Sequence, residues 1–338
     1  MQSLAALNRD TLVAAGIYFP SAGKRDGQML RGEISAGNAQ LLTNAMNDEN
    51  WSVVEQLLLN WTKEASAKNC QSLLLSNELL VLAMALPRRL EQFEVLLSSI
   101  GFQEIKTLLI LRNPVEQALS LYKHRAKSGD APTIEEWSKA YYHYGDGLLR
   151  FLQSAEVMTW PLTVRKYRKQ ALDQLFFYEW LGVSFEYQQP KRVVNPSLSL
   201  SELLLIRQLR QRDTWLPRFI YEGFLALPKD EKASELKLTQ YYKAILTDHI
   251  TNFQTTWQLC NDYLPAGEQL KTPDENSIGK EEAEKIMTFS SAQVEVITEF
   301  MKEASTPAFQ WKMRYRKYKN KLGRLRNSIF QKSGRRTI

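Results

Sequence analysis

At 338 residues, 44% hydrophobic and 24% charged, the chain holds enough apolar material for a sizeable core, as one large domain or a domain with helical additions. Two cysteines, Cys70 and Cys260, exclude a disulfide framework or a cysteine metal cluster, and three scattered histidines, His124, His143 and His249, complete no ligand pattern. The sequence shows no secretory signal and no apolar run of bilayer length, so a reducing, cytoplasmic setting is expected.

The net charge of +7 divides unevenly. From Lys312 onward there are eleven Lys or Arg and no acid, four more than the chain's whole surplus, so the first 311 residues carry −4. The body is mildly acidic and the tail supplies the basic character.

In chain order, Ser3 to Gly16 reads as a helix, with Leu4, Leu7, Leu12 and Ala15 apolar and Gly16 as its stop, and Ile17 to Phe19 reads as extended. Residues 20–37, rich in Gly, Ser and charge, form a surface loop able to cover a ligand. Helical patterns run from Asn38 to Lys68. Ser72 to Leu75 is read as a buried strand ending at Ser76 and Glu78. Glu78 has two readings: a carboxylate past a strand end that accepts a proton from an attacking hydroxyl, or an ordinary acid in the first turn of the next helix.

The most informative stretch is Lys106 to Gly129. Thr107 to Leu111 is an unbroken apolar run of the kind found in strands covered on both faces. Asn113 is suited to cap the next helix, Pro114 to occupy its first position, and Glu116 to its first turn. Val115, Ala118, Leu119 and Tyr122 follow at helical spacing and are expected to be buried, with Gln117, Ser120 and His124 on another side. Arg112 then stands at the carboxyl end of a strand, where open α/β sheets place ligands, beside a helix N-terminus. It either grips an anion there or pairs with a neighbouring carboxylate.

Ile134 to Ser154 is helical, its aromatics read as core. Val157–Thr159 and Leu162–Val164 read as extended, leading to Arg165, Lys166, Tyr167 and Arg168, which meet a nucleotide or form a solvated basic turn. A helix over Leu172–Leu181 ends at Gly182. Lys191, Arg192, Asn195 and Ser197 form a polar loop before a helix from Leu200 to Arg212, capped by Ser199 or Ser201. Leu236 to Leu264 reads as one long amphipathic helix, Lys271 to Lys280 as a polar connection, and Ser291 to Glu303 as another helix.

An Arg followed eight residues later by a Ser, across a strand, an Asn-Pro turn and a helix, resembles the 3′-phosphate-binding segment of the sulfotransferases that use 3′-phosphoadenosine 5′-phosphosulfate (PAPS). Ser120 to Gly129 (SLYKHRAKSG) is similar to bacterial, carbohydrate-type members. Leu73 to Glu78 resembles their strand ending in a Ser/Glu pair, Val164 to Tyr167 their later strand, Arg192 to Ser199 (RVVNPSLS) their Asn-x-Ser-Leu segment, and Leu7 to Pro20 the helix and short strand after their first loop. The likeness spans residues 1–210 as an ordered set.

The resemblance implies an α/β fold, a three-layer parallel sheet like that of P-loop sulfotransferases, over residues 1–210. A helical extension over 211–308 and a basic tail over 309–338 complete the expected organisation. It implies in-line transfer of a sulfuryl group from PAPS to a hydroxyl, with carbohydrates as the acceptors and no metal. Arg112 and Ser120 would hold the 3′-phosphate, with Arg192, Asn195 and Ser197 in support. Tyr167 would lie against the adenine, and Glu78 would be the base, with His124 as its competitor. In that family the opening helix follows a strand and a Gly/Lys/Thr-rich loop that holds the 5′-phosphosulfate. This sequence starts where that helix is already under way, which leaves two accounts: a start codon set too far downstream, or a natural remnant inactive as written. The first is preferred, because the remaining strands stay apolar and locally consistent.

The tail, residues 311–336, interleaves Trp311, Met313, Tyr315, Tyr318, Leu322, Leu325, Ile329 and Phe330 with its cations. It suits an anionic membrane surface or an acidic glycan, attracts nucleic acid only nonspecifically, or is simply solvated. A non-catalytic binding or membrane-surface protein on the same sheet is therefore the alternative reading. A kinase-like enzyme is disfavoured, since neither a Walker lysine loop nor a Mg²⁺-binding carboxylate motif is present.

Overall fold

The computed structural model describes residues 1–23, 26–31, 37–126, 132–142, 144–168, 171–189, 198–212, 217–250, 254–270 and 287–311. Over these residues the chain is α/β and mostly helical, with four short strands in two parallel pairs. Arg192, Asn195, Ser197 and the basic sequence from Lys312 onward lie outside the described residues.

The opening helix is divided in two, α1 (Gln2–Leu7) and α2 (Arg9–Ala14). The cause is Asn8. Its side-chain amide donates to Leu4 O at 2.8 Å and to Gln188 O at 3.0 Å and accepts from Gln188 N at 2.6 Å, competing with the helix for local partners. Gly16, at φ +76°, ends α2. Strand β1 (Ile17–Tyr18) follows, then α3 (Asp26–Leu30), α4 (Gln40–Asn47) and α5 (Trp51–Ala67). Strand β2 (Ser72–Leu73) returns parallel to β1, Ile17 opposite Ser72 and Tyr18 opposite Leu73.

Helices α6 (Leu80–Ala83) and α7 (Pro87–Ile100) lead to β3 (Thr107–Leu111), α8 (Pro114–Ala126), α9 (Ile134–Tyr141), α10 (Tyr144–Ala155) and β4 (Leu162–Lys166). β3 and β4 pair in parallel along their whole length, from Thr107 with Leu162 to Leu111 with Lys166. Val157–Thr159 is not extended as its sequence suggests. Val157 N and Met158 N donate to Ser154 O and Ala155 O, at 3.2 and 3.1 Å, so these residues finish the end of α10 as a tightening turn. The segment Gln174–Trp180 is wound as a π-helix and closes at Gly182, φ +69°. The remaining helices are α11 (Leu200–Arg212), α12 (Pro217–Ala226), α13 (Leu236–Ile250), α14 (Gln254–Tyr263) and α15 (Ser291–Ser305). The single helix read over Leu236–Leu264 is thus represented by α13 and α14, on either side of residues 251–253, which are outside the described set.

The chain forms two compact units. The first comprises Met1–Leu119, Glu135–Asn195 and Lys243–Glu275. In it the strand side chains alternate between two apolar clusters, as the two-residue period of a strand requires. Leu109 and Leu111 of β3, and Leu73 and Leu75 at β2, join the cluster of Leu42, Leu58, Leu90, Phe93, Phe151 and Val164. Leu108 and Leu74 join the other, with Leu4, Leu12, Ile17, Phe19, Phe176 and Phe177. Each of these side chains that is fully buried contributes about 1.5–3 kcal/mol. In β3 only Leu111 is fully buried and its neighbours are half-buried, less sealed than the apolar run implies, since β3 is paired on one edge among the described residues.

The second unit comprises Ser120–Ile134, Pro196–Tyr242 and Asn276–Ile338. Its interior is partly polar. Ser199 caps α11, accepting from Glu202 N at 3.2 Å, while the Glu202 carboxylate accepts from Ser199 N at 2.7 Å. The same carboxylate, completely buried, receives Lys232 Nζ at 3.0 Å and Gln293 Nε2 at 2.7 Å. Gln293 belongs to a capping box with Ser290 at the start of α15. No helix among the described residues is long and apolar enough to cross a membrane.

Candidate functional site

The site is built where β3 and β4 end. Two residues past the strand, Asn113 Oδ1 accepts from Val115 N at 3.0 Å and Glu116 N at 3.3 Å, capping α8 as its sequence dictates. Val115, Ala118, Leu119 and Tyr122 are all buried. The cap ends the strand sharply and leaves Arg112 exposed at its carboxyl end.

The parallel register carries one pair further. Tyr167 N donates to Leu111 O at 2.7 Å, so Arg112 and Tyr167 come next after Leu111 and Lys166. Their side chains meet. The Arg112 guanidinium lies over the Tyr167 ring, 4.0 Å from its centroid, close enough for a cation–π contact. Among the described residues Arg112 makes no ion pair, so the alternative of a carboxylate partner is not realised there.

Its basic neighbours behave differently. Arg165 pairs with Glu268 at 3.2 Å and Glu179 at 3.5 Å, and Arg168 with Glu268 at 3.3 Å. Lys166 donates from Nζ to Gln269 O at 3.0 Å, and its backbone N–H donates to Glu268 Oε2 at 2.9 Å. Glu268 thus engages both arginines and the Lys166 backbone around Tyr167. Nothing in the local sequence announces it, since it lies about a hundred residues away.

Glu78 is exposed, a few residues beyond β2.

The approach to Glu78 is held by several hydrogen bonds. Asn38, buried just ahead of α4, donates from Nδ2 to Leu74 O at 2.9 Å and accepts at Oδ1 from Ser76 N at 2.7 Å. Ala39 N donates to Ser76 O at 3.3 Å. Asn77 Oδ1 accepts from Leu79 N at 2.6 Å, and Asn77 Nδ2 reaches Gln40 Oε1 at 3.4 Å. Asn38 is absent from any reading of sequence motifs; its one visible signal is the preceding Gly37, which stands at φ +83°.

Ser120 and His124 are exposed on α8 and belong to the second unit. Among the described residues no group of three His, Cys, Asp or Glu is placed to hold a metal ion. No protein-family model, curated protein or solved structure matches the chain.

Proposed function

We propose that this chain is a sulfotransferase-like protein: it binds PAPS at the carboxyl ends of its strands and transfers the sulfuryl group in line to a hydroxyl, most simply that of a carbohydrate. The observation that carries the reading is Arg112, an exposed guanidinium without a carboxylate partner among the described residues, held at the end of a parallel strand by the ring of Tyr167. A planar cation beside a capped helix start suits a phosphate, and the Tyr167 ring, whose face the guanidinium covers, holds that cation in place.

The fold proposed with it is a single parallel sheet covered on both faces. Its support is the alternation of Leu108 and Leu74 into one apolar cluster and of Leu109, Leu111, Leu73 and Leu75 into another. In the reaction the sulfur–oxygen bond to the 5′-phosphate breaks as a bond to the acceptor oxygen forms. Glu78 takes the acceptor's proton, and Arg112 holds the nucleotide that leaves as adenosine 3′,5′-bisphosphate. Positioning and charge neutralisation supply the rate, as in phosphoryl transfer. The resemblance adds Arg192 and Asn195 as further phosphate contacts.

The test is selective binding. The chain should bind adenosine 3′,5′-bisphosphate and bind adenosine 5′-monophosphate, which lacks the 3′-phosphate, far more weakly; equal affinities overturn the reading. A second reading, a non-catalytic protein held on an anionic lipid surface, is favoured by the eleven cations after Trp311, each worth about 1 kcal/mol near such a surface. It predicts vesicle binding that disappears when those residues are removed and no nucleotide selectivity.

A further inference from the structure

We infer that Asn38 is a positioning residue for the transfer step, acting through the segment that presents Glu78. The inference rests on the functional reading above and adds to it the element that fixes the proposed base.

Strand β1 ends at Tyr18, whose carbonyl accepts from Leu74 N at 2.8 Å. Beyond that point β1 offers no further partner in the pairing. Asn38 supplies one: its amide donates to Leu74 O and accepts from Ser76 N, at 2.9 and 2.7 Å. One side chain thereby makes the two hydrogen bonds that a neighbouring strand would have made, and β2 is continued toward Ser76. The amide is buried and both its ends are engaged, so its orientation is fixed by the backbone it holds.

Gly37 makes the approach possible. At φ +83°, a Cβ on this residue would fall 2.0 Å from Ser76 O and 2.8 Å from Gln2 Nε2. Only a glycine lets the chain ahead of α4 lie this close to the end of β2. The segment then turns through Asn77, whose side chain holds Leu79 N, with Glu78 between them. A carboxylate on an exposed turn is ordinarily free to swing; here the backbone on its N-terminal side is tied down at Leu74 and Ser76. Misplacement of a reacting group by about 1 Å costs on the order of a hundredfold in rate.

The test uses the full chain with PAPS and water as acceptor, following release of adenosine 3′,5′-bisphosphate and sulfate. Water gives its oxygen to sulfur and its proton to Glu78, and the 5′-phosphate leaves with the electron pair of the broken bond. Asn38→Ala is expected to lower kcat by about tenfold or more, leave the affinity for adenosine 3′,5′-bisphosphate within about twofold, and add no further loss to Glu78→Gln, because both act on one step. Asn38→Asp, which sets a carboxylate oxygen against Leu74 O where the amide donated, should lose at least as much as Asn38→Ala. Amide exchange at Ser76 reports whether the clamp has opened. Exchange that quickens in Asn38→Ala while kcat stays at the wild-type value overturns this inference alone, as does a loss fully additive with Glu78→Gln. A wild-type chain that neither binds the bisphosphate nor turns over PAPS overturns the functional reading, and this inference with it.

Discussion

The guanidinium of Arg112 lies 4.0 Å from the ring centroid of Tyr167, and the two residues are next-in-register neighbours at the ends of parallel strands. The contact is at the surface, so its stabilising effect is small, about 0.5–1 kcal/mol. Tyr167→Ala should cost about that much in chemical denaturation, and Tyr167→Phe, which keeps the ring, should cost almost nothing. Equal losses in the two variants would show that the hydroxyl, not the ring face, holds the arginine. The contact also has a consequence for binding, because the ring face that Arg112 covers is not open to an adenine while the guanidinium rests on it.

Gly37 and Gly16 form a natural comparison. Both have positive φ, +83° and +76°, but a Cβ at Gly16 meets nothing within 4 Å, whereas at Gly37 it collides with Ser76 O. Gly16→Ala should cost about 1–2 kcal/mol, the left-handed backbone penalty alone. Gly37→Ala should cost clearly more, since backbone must move, and thermal denaturation of the two variants measures the difference.

The buried carboxylate of Glu202 is matched by Lys232 Nζ, Gln293 Nε2 and Ser199 N. Lys232→Met should destabilise by about 3–5 kcal/mol, because it leaves an uncompensated charge inside the second unit. Adding Glu202→Met should recover part of that loss. A double variant no more stable than the single one would mean that the network contributes more than charge compensation.

Acid sensitivity has a local source at Asp26. Burial by itself would raise this carboxyl, but hydrogen bonds from Arg9, Ser21 and Ala22, with the Arg9 charge, outweigh it and hold the group below its ordinary 3.8. Because the folded value is depressed, the contribution to stability is complete above 3.8 and is lost as pH falls through the lower folded value. Asp26→Asn should flatten the acid limb of a stability–pH curve in that window and change its shape little near neutrality.

The sequence was legible where a local rule decides the structure. An apolar five-residue run, an Asn-Pro pair and helical spacing suffice for β3, the Asn113 cap and the buried face of α8. The cap of α11 was narrowed to Ser199 or Ser201, and the hydrogen bonds between Ser199 and Glu202 decide for Ser199. It was not legible where distant residues decide. Asn8 splits the opening helix because Gln188 is its partner, and Glu268 takes the cations around Tyr167 from about a hundred residues away. Asn38 reads as an ordinary residue ahead of a helix until β2 is seen beside it. At the candidate site, Arg112 and Tyr167 could each be marked from sequence, but their stacking follows from a strand register that the sequence does not print.

The central claim is that Arg112 grips the nucleotide end of a sulfate donor, and calorimetric titration with adenosine 3′,5′-bisphosphate tests it most directly. The arginine is exposed and its stacking is weak, so Arg112→Ala should remain folded. The wild-type chain should bind one equivalent, and Arg112→Ala should lose about 1.5–3 kcal/mol, the value of a hydrogen bond to a charged group, or about ten- to a hundredfold in Kd. Unchanged affinity in Arg112→Ala, or a wild-type chain that gives no binding heat, would contradict the account.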